Sequence, residues 1–187
     1  MNFEKKIKAK TESTHILINS AKKRNKKKKK AFFAGSFDPF TIGHLNIALK
    51  ACELFDDVYI GIGKNENKKR TYSEIKMKEA IENLLTKQNI LNVFVVIYGG
   101  MTYEQAKNLG CNWLVRGLRN EKDFIYEETV ADYNEKIGNL QTIYFRADEN
   151  LKEISSSKFK EMNSNEMLDE QKNNMVPKEI LKILQNH

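Results

Sequence analysis

AFFAGSFDPFTIGH, residues Ala31 to His44, governs the reading of the whole chain. Ala31-Phe32-Phe33-Ala34 is short and continuously apolar, the pattern of a central strand in a parallel sheet buried on both faces. Gly35 then permits a close backbone approach to a ligand, and Ser36 offers a hydroxyl at the strand's carboxyl end. Thr41 is placed to cap a following helix, whose first turn carries Gly43 and His44 beside unpaired N–H groups. Glycine-bearing turns are common in α/β proteins, and a first-turn histidine is often a structural hydrogen-bonder. Together, directly after the first strand, they read as a phosphate-holding turn with an imidazole inside it.

Outward from this stretch, strand-like and helix-like segments alternate. The strand candidates are Ala31–Ala34, Asp57–Ile62, Val93–Ile97, Trp113–Val115 and Thr142–Phe145. The helix candidates are His44–Phe55, Glu74–Thr86, Tyr103–Leu109 and Lys122–Ile137, with apolar residues three and four apart. Thr102 and Gln105 fit a capping box, and Gly110 fits a helix stop. Such alternation predicts a Rossmann-like, doubly wound α/β fold, a five-stranded parallel sheet with helices on both faces. Ligands of such folds bind outside the carboxyl ends of the strands, at the switch in strand order. Chemistry-bearing residues cluster at those ends. Ser36 follows the first strand, and Lys64, Lys68, Lys69 and Arg70 follow the second. Gly99, Gly100 and Thr102 follow the third, Arg116-Gly117-Leu118-Arg119 the fourth, and Ile154-Ser155-Ser156-Ser157 the fifth. Taken singly, these are a solvated loop, a surface ion-pair element and a plain turn. Their shared position suits an anionic, polyphosphate-bearing substrate.

Composition bounds the partners. The chain of 187 residues has a net charge of +7, but residues 1–30 hold 12 Lys or Arg against Glu4 and Glu12. The remainder is slightly acidic, which gives no reason to expect a nucleic-acid surface. Residues 1–30 read as a disordered Lys-rich leader, and residues 31–187 as one globular domain with room for a core. Three readings of the leader stand: a solvated extension, an organelle-targeting presequence, or a tether to an anionic surface. No apolar run is long enough to span a bilayer. Cys52 and Cys111, far apart in apolar-patterned segments, read as free thiols of a reducing compartment, and the expected location is cytoplasmic. With three histidines and two cysteines widely spaced, no protein-held metal site is expected.

The motifs GSFDPFTIGH, RGLR and ISSS, in this order, closely resemble those of the phosphopantetheine adenylyltransferases of the nucleotidyltransferase superfamily. Relatives that act on mononucleotides usually carry two histidines, HxGH. Here the first position is Thr41, giving TIGH as in the pantetheine branch, and RGLR followed by Asp123-Phe124-Ile125-Tyr126-Glu127 also looks like that branch. The resemblance implies transfer of the adenylyl group of ATP to 4′-phosphopantetheine, with Mg²⁺, giving dephospho-coenzyme A and pyrophosphate. It also implies a homo-oligomer, usually a hexamer, and feedback binding of coenzyme A. The alternatives are another nucleotidyltransferase acting on a mononucleotide or phosphorylated alcohol, and a nucleotide-binding module without catalysis.

By the same resemblance, His44 and Lys68 are the catalytic residues. Ser36, Lys68, Thr102 and Arg116 meet phosphopantetheine. Ser36, Phe37, His44, Gly117, Leu118, Arg119 and Glu127 meet ATP, as does the loop Leu151, Lys152, Glu153, Ile154, Ser155, Ser156 and Ser157. The chain departs from the family pattern in three places: Ser36 stands where threonine is usual, Gly99-Gly100 where an acidic residue is common, and residues 146–151 lack an aromatic. The chemistry itself fixes what the site must do. A phosphate monoester is largely ionised at neutral pH, its second pKa lying near 6, so the nucleophile needs no general base. What it needs is in-line positioning and neutralised charge at the α-phosphate.

Overall fold

The computed structural model describes residues 28–64, 69–119, 121–163 and 168–184. Strands and helices alternate as β1 (Lys30–Gly35), α1 (Ile42–Cys52), β2 (Asp57–Gly63), α2 (Glu74–Lys87), β3 (Val93–Tyr98), α3 (Thr102–Asn108), β4 (Trp113–Leu118), α4 (Glu121–Gly138) and β5 (Gln141–Arg146). A 3₁₀ turn (Glu149–Leu151) and the helices α5 (Ser156–Asn163), α6 (Asp169–Asn173) and α7 (Lys178–Leu184) complete it. The strands form one parallel sheet in the order β3-β2-β1-β4-β5. This is the expected doubly wound architecture, and its order reverses between β1 and β4.

Alternation along β1 shows why the sheet is covered twice. Ala31 and Phe33 enter one core with α1, α2, α5 and α7, while Phe32 and Ala34 enter a second with α3, Cys111, Leu114 and Leu140 just past α4. Successive side chains of a strand point to opposite faces, so a continuously apolar strand needs helices on both. β1 begins at Lys30, inside the segment read as leader. Lys28 pairs with Asp57 at 2.9 Å, the Lys29 amide donates to Asp56, and the Lys30 ammonium lies over the Tyr59 ring and donates to the Leu109 carbonyl. The last lysines of the basic run therefore fasten the amino-terminal edge of the sheet.

Helix ends mostly follow their local chemistry. Gly110 takes φ +73, and the bonds Gly110 N–H to Lys107 O and Cys111 N–H to Ala106 O close the end of α3. This is a Schellman stop, for which glycine carries no Cβ penalty. The capping box expected at Thr102 and Gln105 does not form. Met101 is the N-cap, and the Thr102 hydroxyl instead pairs with the Tyr98 hydroxyl at 3.0 Å. Both cysteines are free; Cys111 is buried and Cys52 half-buried, and burial raises each thiol to about 11. Among the described residues, no helix is long and apolar enough to cross a membrane.

Candidate active site

At the carboxyl ends of β1 and β4, where the strand order reverses, lies a cleft of about 410 Å³. Its floor and walls come from the β1–α1 turn, the end of β4, α4 and the start of α5. Thr41 caps α1 by a complete capping box: its hydroxyl accepts from the His44 amide, and its own amide donates to His44 Nδ1 at 3.0 Å. An Nδ1 that accepts a backbone N–H carries no proton, so the neutral ring bears its hydrogen on Nε2. Burial, then the charges of Arg119 and Arg116, pull the imidazole down to about 3. His44 is thus a neutral hydrogen-bond donor at pH 7 and a very weak base.

Its ring is set by packing. Phe37 meets it edge-on at 5.0 Å between centroids, and Phe40 lies at 5.5 Å. Phe37 has φ +45 and is almost fully buried, its ring folded back over Gly35. A Cβ on Gly35 would stand 2.8 and 2.9 Å from ring atoms of Phe37. Gly35 lines the cleft, as the sequence reading expected, while the side on which a side chain would project is filled by Phe37. The Phe37 ring belongs to the core beneath His44, packed against Phe33, Phe40 and the imidazole.

The RGLR segment also sits differently from expectation. β4 continues through Leu118, so Arg116, Gly117 and Leu118 are strand residues and only Arg119 follows the strand. Arg116 reaches Glu127 of α4 with both ends of its fork, at 2.5 and 2.6 Å, and donates to the Ala34 carbonyl at 2.7 Å. This bidentate pair joins β1, β4 and α4 and makes one wall of the cleft. Behind the wall is a small recess of mixed character, where Thr102, Arg116, Glu127, Asn134 and Thr142 stand among Ala34, Leu114, Val130 and Ala131. Sequence reasoning missed Asn134 and Thr142. Asn134 was findable, because it lies seven residues after Glu127 and so on the same face of a helix.

The serine loop reaches the cleft because β5 and α1 hold its stem. Asp148 accepts from Asn46 and from Lys50, each at 2.7 Å. Ser155 receives the Lys158 amide as a cap for α5, and the Ser156 hydroxyl donates to the Pro39 carbonyl at 2.8 Å. Two of the three serine side chains are thereby structural. In the first turn of α1 the Ile42 amide goes to the Met175 carbonyl and the His44 amide to Thr41. That leaves Gly43 as the residue of that turn whose amide borders the cleft beside the start of α5. With the Arg116 charge balanced by Glu127, Arg119 and the helix amino-termini supply the pull on an anion.

Of the residues singled out in the sequence, Ser36, Phe37, His44, Arg116, Gly117, Arg119, Glu127, Leu151, Ile154, Ser155, Ser156 and Ser157 line this one cleft. Thr102 lies in the recess behind it. Leu118, Lys152 and Glu153 adjoin the cleft without lining it; Lys152 pairs with Glu149 and Glu153 with Lys158. Lys68 lies outside the described residues. Arg70, expected among the substrate-facing cations, turns behind the cleft, where it donates to the Ser36 carbonyl. Among the described residues no cluster of three His, Cys, Asp or Glu side chains could hold a metal.

Comparison with known proteins identifies the family and agrees with the fold. A family described as cytidylyltransferase-like matches residues 32–162. The phosphopantetheine adenylyltransferase of Bacteroides thetaiotaomicron is 40% identical over 134 residues, 72% of this chain and 87% of the relative. That of Leuconostoc mesenteroides is 36% identical over 154 residues, 82% and 93% of the two chains. Among solved structures, the bifunctional NMN adenylyltransferase/ADP ribose pyrophosphatase of Francisella tularensis, in complex with AMP and a manganese ion, superposes with a TM-score of 0.55. At 21% identity, covering 77% of this chain and 44% of that one, it shares the fold.

Proposed function

Because the chain belongs to the cytidylyltransferase-like family, and within it to the phosphopantetheine adenylyltransferases, we propose that this cleft transfers the adenylyl group of ATP to 4′-phosphopantetheine. The products are dephospho-coenzyme A and pyrophosphate, a step of coenzyme A synthesis. The observation that carries the mechanism is the buried His44 ring on the cleft, its Nδ1 engaged by the Thr41 amide, which leaves a neutral Nε2–H as donor.

The phosphate oxygen of phosphopantetheine attacks the α-phosphorus of ATP in line. The bond from that phosphorus to the bridging oxygen breaks, and its electron pair leaves with pyrophosphate. His44, held near a pKa of 3, is unsuited to remove a proton, and the ionised nucleophile has none to give up. Its Nε2–H donates to the α-phosphate, where negative charge grows as the fifth ligand approaches. Lys68 bridges the two reacting phosphates in this reading. Ser36 orients the attacking phosphate, and the Phe37 backbone lies against ATP.

Arg116, fixed by Glu127, faces the pantetheine phosphate, and the recess with Thr102 and Asn134 lies where the pantetheine arm would extend. Gly117, Leu118, Arg119 and Glu127 border the nucleotide. The loop Leu151, Lys152, Glu153, Ile154, Ser155, Ser156 and Ser157 closes over its phosphates. Mg²⁺ neutralises triphosphate charge when bound. The donor set fits a metal carried in on phosphate oxygens and water, as Mg²⁺ commonly is, because the one carboxylate that lines the cleft among the described residues, Glu127, is committed to Arg116. In this reading the protein is a cytoplasmic homo-oligomer of the family's hexameric kind, and coenzyme A competes for the same cleft.

Pyrophosphate release from ATP tests the proposal. It should require both phosphopantetheine and Mg²⁺. Folded protein that releases none under those conditions would refute it, and release with a mononucleotide acceptor instead would move the enzyme to another branch of the superfamily.

A further inference from the structure

We propose that Arg70 is a positioning residue for this reaction, one that orients the Ser36–Phe37 peptide so that its N–H faces the nucleotide phosphates. The inference rests on the adenylyltransferase reading above. Arg70 stands in a run of cations, yet its side chain is only 13% exposed and is not part of the cleft lining. Nη1 donates to the Ser36 carbonyl at 2.7 Å and Nε to the Tyr72 carbonyl at 3.1 Å. Nη2 stands 4.0 Å from Asp38 Oδ1, and Nε 3.7 Å from Glu74 Oε1.

Asp38 completes the device from the other side. It is buried and accepts from the Thr71 and Tyr72 amides at 3.1 and 2.9 Å and from Lys160 at 3.1 Å. Burial alone would raise its carboxyl. The two amides and Lys160 outweigh that and hold it below the ordinary value, so it stays ionised. Two cations, Arg70 and Lys160, thus meet two carboxylates, Asp38 and Glu74, and the guanidinium sits in a charge-balanced pocket behind the cleft. Nη2 nevertheless has no hydrogen-bond partner among the described residues. The fork is committed to the Ser36 carbonyl at the expense of one of its own donors.

What that carbonyl controls follows from the peptide unit. The Ser36–Phe37 bond is trans, so the Ser36 C=O and the Phe37 N–H point in opposite directions. Arg70 draws the carbonyl toward the back of the wall. On this proposal the Phe37 N–H, on the opposite side of the peptide, faces the cleft that Ser36 and Phe37 line beside His44. Phe37 holds φ +45, a conformation uncommon outside glycine that persists only where the surroundings hold it, and the Arg70 bond to the preceding carbonyl is one such hold. A planar fork suits the task because it holds the Ser36 and Tyr72 carbonyls together; an ammonium on a flexible stem does not.

The test uses the full chain with ATP, Mg²⁺ and phosphopantetheine, comparing wild type with Arg70→Ala and Arg70→Lys. Loss of a preorganised donor at the reacting phosphate predicts a kcat about 10- to 100-fold lower in Arg70→Ala, with KM for phosphopantetheine within about twofold. Free guanidinium, at concentrations too low to unfold the protein, should restore that kcat several-fold. Arg70→Lys keeps the charge beside Asp38, so it preserves the folded pocket while losing the fork; its kcat should fall at least about fivefold. A wild-type kcat in Arg70→Lys overturns the proposal whatever the alanine variant does. So does a loss in Arg70→Ala that tracks unfolding and ignores guanidinium. Wild-type protein silent toward phosphopantetheine would instead fail the underlying reading, and this inference with it.

Discussion

Replacing Gly35 with alanine tests the claim that the imidazole is aimed by packing. The added methyl would lie 2.8 Å and 2.9 Å from two Phe37 ring atoms and 3.2 Å from a third. Ordinary carbon contact begins at about 3.5 Å, so the ring must retreat by roughly 0.6 Å. It has little room to do so, being wedged against Phe33 at 5.2 Å, Phe40 at 5.5 Å and His44 at 5.0 Å between centroids. Overpacking of this kind costs about 1–3 kcal/mol. With a urea dependence of about 1–3 kcal/mol per molar, the unfolding midpoint should drop by roughly 1 M. The same displacement reaches His44 through the edge-on contact. Misplacement of a reacting group by about 1 Å can cost two orders of magnitude, so a shift of about half that predicts a kcat about tenfold lower. Urea melts and steady-state kinetics on one preparation read both effects. Unchanged stability and unchanged kcat would refute the packing argument, and lost ATP affinity with normal stability would return Gly35 to a ligand-contact role.

Three further outcomes follow. His44→Ala should lower kcat by about 10²- to 10³-fold and weaken ATP binding far less, as measured by kinetics and calorimetry; equal losses in both would make it a binding residue. His44 should also make the fold acid-sensitive. Its folded value near 3 lies below the ordinary 6.5, so the unfolded chain takes up the proton first, and stability is lost as pH falls from about 6.5 toward 3. Between pH 7 and 5, above the range of Asp38, urea midpoints should fall more steeply for wild type than for His44→Asn; parallel curves would contradict this. Glu127→Gln should break the bidentate pair with Arg116, whose side chains are 13% and 23% exposed, and cost about 1–2 kcal/mol after allowance for solvent. It should raise KM for phosphopantetheine, and unchanged stability and KM would argue that Arg116 is placed by other contacts.

The parts of the fold legible in the sequence were those fixed by local chemistry. The apolar run of β1, the Thr41 cap and the Gly110 stop each act over a few residues, and each appears where expected. The misreadings have a common cause in contacts made at long range. β4 outlasts its apolar residues because Arg116 is satisfied by Glu127 and Ala34, partners 11 and 82 positions away. Thr102 abandons its box for Tyr98 across the end of β3. Arg70 looks like a solvent-facing cation until the Ser36 carbonyl, 34 residues earlier, is beside it. Nothing in the letters around Gly35 and Phe37 announces a positive φ or a ring folded back on its own strand.

The central claim is that phosphopantetheine is the acceptor, and product mass tests it most directly. The enzyme is given ATP, Mg²⁺ and equal amounts of phosphopantetheine and nicotinamide mononucleotide, and the adenylylated products are weighed. The account predicts dephospho-coenzyme A as the overwhelming product. An adenylylated mononucleotide in its place, or no adenylylated product from folded protein, would contradict it.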